Sequence, residues 1–259
     1  CAWLVRNVHS EEVPGTALVS WGAGDIMKNF SHRVNHFGHK PPDSHRTALG
    51  ASGAYTRPRV RPLVLASTSR YRRELLARLE VPFIPAAPDF DERAEDARFP
   101  ELGAEGLAVH LARGKAISLR AAHPDAWILA ADQIAMLPGP PDEVLHKPGS
   151  ESQAIAQLMQ LSGRTFALVN GVTLLDARTG AFRDAIDTQT LTMRPFAEAE
   201  AADYVRRHRP LDCAGSFRIE DPGIKLFARI ASADFTGIIG LPLLAVARLL
   251  RAADLLPGP

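Results

Sequence analysis

Cysteine is nearly absent from this chain. The two present, Cys1 and Cys213, cannot build a disulfide framework or a cysteine zinc site, and a reducing, cytosolic setting is the default that follows. No apolar run reaches the ~18 residues of a membrane span, so no membrane partner is expected. The first residues, Cys1-Ala-Trp-Leu-Val-Arg6, lack the basic region and long apolar core of a signal peptide. An excess of one charge is missing too. The net charge is +1, which directs the protein neither to nucleic acid nor to an acidic lipid surface. Three common signatures are also absent. G-x-x-x-x-G-K-S/T would mark a P-loop ATPase, G-x-G-x-x-G a dinucleotide fold, and H-E-x-x-H a zinc site.

Apolar material is plentiful. Hydrophobic residues make up 46% of the 259, and charged residues 23%. That profile suits one large soluble domain, or one domain with an appendage. The appendage reads as residues 1–60. Five of the nine histidines lie there (His9, His32, His36, His39, His45), among scattered Pro, Gly and Ser and with poor periodicity. Only His32 with His36, and His36 with His39, have helical spacing for a shared metal. The segment reads as a disordered extension or as upstream sequence outside the native protein, although Trp3 and Trp21 are unusual in a plain linker. The compact domain is expected over 61–259.

In that domain, strands and helices alternate at first. Leu63-Val-Leu65 reads as a buried strand, Tyr71–Leu79 as a helix with Leu75, Leu76 and Leu79 on its apolar face, and Val81–Ile84 as a second strand. A helix is expected over Glu101–Ala122. Trp127–Ala131 reads as a strand buried on both faces, ending at Asp132-Gln133. Ser150-Glu-Ser-Gln153 is a capping box that opens a helix to about Leu161. Thr165–Asp176 and Phe182–Met193 form a hairpin around Thr179-Gly180. Glu198–Arg207 is helical, Cys213–Glu220 is a glycine-containing loop or strand edge near a site, and Gly240-Leu-Pro-Leu243 opens the last helix. The pattern predicts an α/β fold, a mixed twisted sheet flanked by helices.

The chemistry concentrates at Ser67-Thr-Ser-Arg-Tyr-Arg-Arg73. The hydroxyls supply an N-cap. Arg70, Arg72 and Arg73 lie beside the free N–H groups of a helix start, which already forms an anion site, and guanidinium groups add bidentate donors for phosphate. Positive charge there opposes the helix dipole, so an anion or acidic neighbours must offset it. The plain alternative is a solvated basic first turn. Further along stand an acidic loop (Asp89, Asp91, Glu92), Lys115, Asp132 and Lys147. A carboxylate at a strand end in an α/β sheet can hold Mg²⁺ or take a proton from water. Taken singly, each of these residues also fits an ordinary cap or a solvated side chain. Together, cations for phosphate, carboxylates for a divalent metal and one carboxylate for water describe an attack on a phosphoanhydride.

Seven motifs occur in order: Leu65-Ala-Ser-Thr-Ser-x-x-Arg-Arg-x-Leu-Leu76, Pro88-Asp-x-Asp-Glu92, Ala112-x-x-Lys-Ala116, Ala131-Asp-Gln133, Lys147-Pro148, Ala214-Gly-Ser-Phe-x-x-Glu220 and Gly240-Leu-Pro-Leu243. This series resembles the Maf family of nucleoside triphosphate pyrophosphatases over about Leu63 to Leu250. The resemblance implies an elongated two-lobed fold with a central cleft. It also implies a divalent cation (Mg²⁺ or Mn²⁺), a nucleoside triphosphate substrate, a cytoplasmic setting and a homodimer. Position by position, it makes Asp132 the proton acceptor and Ser67, Arg72, Arg73, Lys115 and Lys147 the phosphate-handling residues. Glu92 is matched to an acidic residue acting through the metal, together with Asp132. Tyr71, Gln133 and Glu220 fall at three specificity positions. The branch acting on dTTP and UTP usually has Arg, Thr and Gln there, and the branch acting on 7-methyl-GTP has Trp, Gln and Glu. This chain keeps Gln133 and Glu220, and an aromatic face at Tyr71 suits a cationic methylated base. Arg70 stands where Pro is common, and His146 where Gly usually precedes the lysine. Hydrolysis of 7-methyl-GTP to monophosphate and pyrophosphate is therefore the expected function. The alternatives are dTTP/UTP hydrolysis, or a non-catalytic nucleotide-binding regulator of septum formation.

Overall fold

A computed structural model describes residues 61–256. The expectations for residues 1–60, including the five histidines, lie outside the described residues. The described chain is a mixed α/β unit around one seven-stranded sheet of order β2-β1-β3-β5-β6-β7, with β4 paired to β3. β1 (Leu63–Ala66), β2 (Phe83–Ala86) and the start of β3 (Trp127–Leu137) are parallel. β4 (Glu143–Leu145), β5 (Thr165–Asp176), β6 (Phe182–Met193) and β7 (Phe227–Ala231) join antiparallel. The hairpin β5–β6 has the expected bounds. β2 carries Pro85, which a sheet tolerates only where the strand is at its edge. The short strands β4 and β7 had no sequence signal strong enough to predict them.

The helices are α1 (Arg70–Ala77), α2 (Phe99–Ser118), α3 (Glu151–Leu161), α4 (Glu198–His208), the short α5 (Phe235–Ile239) and α6 (Leu243–Arg251). Among the described residues, no helix is long and apolar enough to cross a membrane. α1 starts one residue earlier than expected because Ser69 is its N-cap, accepting from the Arg72 N–H. Ser150 caps α3 through the Gln153 N–H, as the capping box predicts. Pro242 sits at the N-cap of α6, just outside the first turn. α2 is entered through a kink at Gly103.

The largest correction concerns β3. It does not end at Ala131 but runs through Asp132 and Gln133 to Leu137. The polar pair resembles a strand end, yet β5 backs β3 from Trp127 to Met136, so the backbone stays bonded on that side. On the other side, β1 pairs only with Trp127–Leu129 and β4 only with Ala135–Leu137. Residues 130–134 therefore border a gap in the sheet.

Alternation along β3 separates two faces. Ile128, Ala130, Asp132 and Ile134 face α2, where Val64, Ala116 and Leu175 form one apolar cluster and Leu107, Leu111 and Val169 another. On the opposite face, Leu65, Leu129, Val172 and Leu174 pack with Leu75, Leu76, Val246 and Leu250 of α1 and α6. Ala135, Leu137, Phe166, Leu168 and Leu191 pack with α3 and α4 at the other end. Each fully buried leucine here stabilises the fold by roughly 1.5–3 kcal/mol.

α2 lies against the sheet at Gly171, which is paired with Asp132. A Cβ at Gly171 would stand 2.3 Å from the Ala108 carbonyl carbon and 2.5 Å from its oxygen. The obstacle is helix backbone, which has no rotamer to give way. Gly171→Ala should therefore lower the unfolding free energy by about 1–3 kcal/mol, as overpacking does, measured by urea denaturation. A midpoint equal to that of the parent would show that α2 does not depend on this approach.

Candidate active site

The gap in the sheet opens into a cleft of about 580 Å³. It is lined by the turn after β1 and the start of α1 (Ala66–Arg72), the acidic loop at Glu92, Lys115 of α2, and Asp132 and Gln133. His146 and Lys147 after β4, the 212–220 loop and Gly240 complete it. Of the ten predicted site residues, nine line this cleft. Arg73 is the exception. It is exposed on α1 and is not part of the lining, because it follows Arg72 by 100° around the helix and points away.

The chemical centre is a buried ion pair. Lys115 Nζ lies 2.5 Å from Asp132 Oδ1 and 2.9 Å from Glu92 Oε1. Lys115 and Asp132 are 3% and 5% exposed, whereas the Glu92 side chain is 47% exposed. One ammonium thus serves two carboxylates, one deep and one near the mouth. Two glycines let the helix and loops approach closely enough. Gly171 admits α2 to the sheet, and Gly114 leaves room for the Phe90 ring, which a Cβ there would meet at 2.3 Å. Phe90 thereby fastens the acidic loop to α2 at the residue just before Lys115. Of the three loop carboxylates, only Glu92 reaches the lysine. Asp91 instead accepts from the Arg93 and Ala94 N–H groups.

Burial pushes the Asp132 carboxyl above its usual range, with the Lys115 and Arg72 charges opposing. Burial would also raise Glu92, but the combined charges of Lys115, Arg72 and Lys147 hold it below its usual range. The difference follows depth: the deeper carboxylate is desolvated more than its partner cations can offset.

Arg72 is held by its Nε, which donates to the Gly240 carbonyl at 2.9 Å. Its two terminal amino groups have no partner among the described residues. Gly240 adopts φ 115° at the end of α5, a conformation that favours glycine. Ser67 is buried, and its hydroxyl accepts from the Ser69 N–H at 3.1 Å. Lys147 and Glu220 are exposed on opposite loops of the cleft. A cation already covers the Tyr71 ring: the Arg70 guanidinium lies 4.7 Å from its centroid and donates to its hydroxyl at 2.8 Å. Gln133 points to the face opposite Asp132 and donates to Asn170 Oδ1 (3.2 Å) and the Gly237 carbonyl (2.7 Å).

Sequence reasoning missed Arg218. It donates to the carbonyls of His208 and Arg209 and to Asp212, so it ties the 212–220 loop to the end of α4. The only sequence cue was its place in the Ser216-Phe-Arg-Ile-Glu220 run.

Among the described residues, no group of three or more His, Cys, Asp or Glu could hold a metal by itself. Mg²⁺ is commonly held by one or two carboxylates plus substrate phosphates and water. Glu92 and Asp132 would fit that arrangement through carboxylate oxygens not taken by Lys115, with the remaining ligands left to an incoming polyphosphate.

A family profile described as "Maf-like protein" matches residues 62–253. The chain is 44% identical over 191 residues to the 7-methyl-GTP pyrophosphatase of Xanthomonas campestris pv. campestris, covering 74% of this chain and 95% of that protein. It is 42% identical to the protein of that name from Aromatoleum aromaticum, over 75% of this chain and 96% of that one. The corresponding figures for Pseudomonas putida are 41%, 73% and 95%. A solved HAM1 protein from Coxiella burnetii superposes with a TM-score of 0.36 at 19% identity, over 64% of this chain and 89% of that one. That likeness is too loose to inform the site.

Removing the ammonium should expose the electrostatic design. Lys115→Met leaves two carboxylates facing each other without a counter-charge, and at pH 7.5 should cost about 3 kcal/mol of unfolding free energy. The pKa of each carboxylate in the folded variant then rises above its unfolded value, so the folded form binds protons better and the deficit shrinks as pH falls. Urea unfolding at pH 7.5 and pH 5 checks this. A deficit that stays constant or grows on acidification would contradict it.

Proposed function

The chain belongs to the Maf-like protein family, and from that premise we propose that it hydrolyses the α–β phosphoanhydride of a nucleoside triphosphate, with 7-methyl-GTP as substrate. The observation that carries this is the buried Lys115–Asp132 pair in a cleft whose mouth carries Arg72 and Lys147. The names of relatives 41–44% identical over nearly their full length support the substrate.

In this reading, Asp132 takes the proton of the attacking water. Its raised pKa brings it closer to working pH and makes it a stronger base than an exposed carboxylate. Lys115 keeps it ionised and fixes its orientation. The terminal amino groups of Arg72, the Lys147 ammonium, the Ser67 hydroxyl and the N–H groups at the start of α1 hold the phosphates and stabilise the departing pyrophosphate. A divalent cation held by Glu92, Asp132 and the substrate phosphates would neutralise charge that these side chains leave unbalanced. Arg73, outside the cleft lining, has no part in this scheme.

The base lies toward Tyr71, Gln133 and Glu220. A positively charged methylated ring can take the place of Arg70 over Tyr71, exchanging one cation–π contact, of a kind worth roughly 0.5–2 kcal/mol, for another, and Glu220 accepts from base N–H groups. The catalytic domain is residues 61–259, with 1–60 as an N-terminal extension. The protein acts in the cytoplasm as a homodimer without a nucleic-acid partner. The dTTP/UTP reading is weaker because Gln133 and Glu220 are kept. A non-catalytic regulator would have no use for a buried base held by a lysine.

Asp132→Asn should lower kcat by at least about 100-fold, the scale of a general base, in a pyrophosphate-release assay with Mg²⁺ or Mn²⁺. Full activity in this variant would remove Asp132 from the mechanism. Because the essential form is the ionised one, kcat/KM should fall as pH drops, with its acid limb above the ordinary aspartate value of about 3.9. Across 7-methyl-GTP, GTP, dTTP and UTP, kcat/KM should be greatest for 7-methyl-GTP. A preference for dTTP or UTP would select the runner-up.

A further inference from the structure

Between the two apolar clusters on the α1/α6 face of the sheet lies a seam of amides. Gln133, Asn170 and Asp187 are register neighbours on β3, β5 and β6, and Gln189 lies two residues along β6. Asn170 and Gln189 are completely buried, and neither lines the cleft. The seam is a directed chain of hydrogen bonds. Gln133 Nε2 donates to Asn170 Oδ1 at 3.2 Å, Asn170 Nδ2 donates to Gln189 Oε1 at 2.9 Å, and Gln189 Nε2 donates to the Asp187 carboxylate.

An amide can in principle be turned end for end, but here two fixed acceptors prevent it. The Gly237 carbonyl, which can only accept, receives Gln133 Nε2 at 2.7 Å and Asn170 Nδ2 at 3.1 Å. At the far end stands a carboxylate. Reversing Gln133 would set oxygen against oxygen at Gly237. Glycine at position 237 leaves room for the seam, because a Cβ there would lie 2.3 Å from Gln189 Nε2 and 2.5 Å from Asp187 Oδ2 and would push those side-chain ends aside.

With its amino group committed inward, Gln133 has its Oε1 left over. That oxygen has no partner among the described residues, it is not a buried unsatisfied atom, and Gln133 lines the cleft. We propose that Asn170, Gln189 and Gly237 are positioning residues that lock Gln133 with Oε1 facing the ligand. With the Glu220 carboxylate, also in the lining, this gives the base end of the cleft a pair of fixed acceptors. It selects a base edge that presents adjacent N–H donors and repels one that presents carbonyl oxygens beside a single N–H. This inference rests on placing the base at Gln133 and Glu220.

Two measurements test it, and neither requires turnover. The first is solvent exchange of the Gln133 side-chain amide protons by NMR, assigned through Gln133→Glu. They should be protected in the parent protein and exchange faster in Asn170→Leu. Rapid exchange in the parent would overturn the locked orientation. The second is the Kd ratio of UMP to 7-methyl-GMP, which reads base preference without the phosphoanhydride. Asn170→Leu and, independently, Gln189→Met should reduce this ratio about fivefold, part of one hydrogen bond's worth, while affinity for inorganic pyrophosphate stays within about twofold. A merely structural role would lower the melting temperature and leave the ratio unchanged, and that result would overturn the proposal. Failure of the parent to hydrolyse any nucleotide would defeat the catalytic reading alone, since both measurements here concern binding.

Discussion

The site depends on a vacancy in strand pairing. β3 is bonded to β5 along almost its whole length, so it stays rigid and extended. Its other edge is bonded by β1 at one end and β4 at the other, with nothing between among the described residues. A sheet edge left open in this way exposes both faces of one strand to the same cavity. Asp132 and Gln133 are consecutive, and in a closed sheet their side chains would be separated by the sheet itself. Here both reach the cleft, one from each side. Adjacent residues in sequence can then serve different parts of one ligand.

The two faces have different chemistry. On the α2 face, charge dominates: a lysine buried among leucines is tolerated because two carboxylates meet it, and those carboxylates are held by a close helix approach at Gly171 and by Phe90 at Gly114. Such a pair contributes little net stability, since desolvation offsets most of the attraction. Its presence is better explained by what it holds in place. On the opposite face, the polar groups are neutral amides whose directions are fixed by a backbone carbonyl and a carboxylate. In the proposed reading, charge suits the phosphate end, where strength matters, and oriented amides suit the base end, where the distinction is between donor and acceptor.

Much of this was legible in the sequence. Short apolar runs alternating with helical patterns gave the mixed α/β architecture, and the caps at Ser69 and Ser150 are local devices that need no tertiary information. The ordered motifs carried nine of the ten site residues into one cleft. What was not legible depends on pairing partners. The continuation of β3 past Asp132 is decided by β5, some forty residues away in sequence. Arg73 looked equivalent to Arg72 in a basic turn, and only the helix phase separates them. The seam of Asn170, Gln189 and Gly237 had no signal at all, since isolated amides and a glycine in unremarked strands gain meaning only when the strands are aligned.

The position of Arg70 follows from the same electrostatics. Three arginines at the start of α1 face a helix dipole that repels them, and the structure shows two ways of relieving this. Arg72 gives one donor to Gly240 and lies near the Glu92 and Asp132 carboxylates. Arg70 makes no ion pair with a carboxylate among the described residues and settles on the Tyr71 ring instead. Two sites that attract cations are therefore filled by the protein's own cations: Lys115 between the carboxylates, and Arg70 on the aromatic face. Lys115 is buried and stays. Arg70 is fully exposed, makes one hydrogen bond to the same tyrosine, and can be displaced at small cost. A cationic base arriving over Tyr71 exchanges one cation–π contact for another, so the net gain is the difference between them rather than the whole attraction. Under the proposed function, discrimination for a methylated purine then has to come largely from the acceptors at Gln133 and Glu220, with Tyr71 contributing shape and a modest share of the energy.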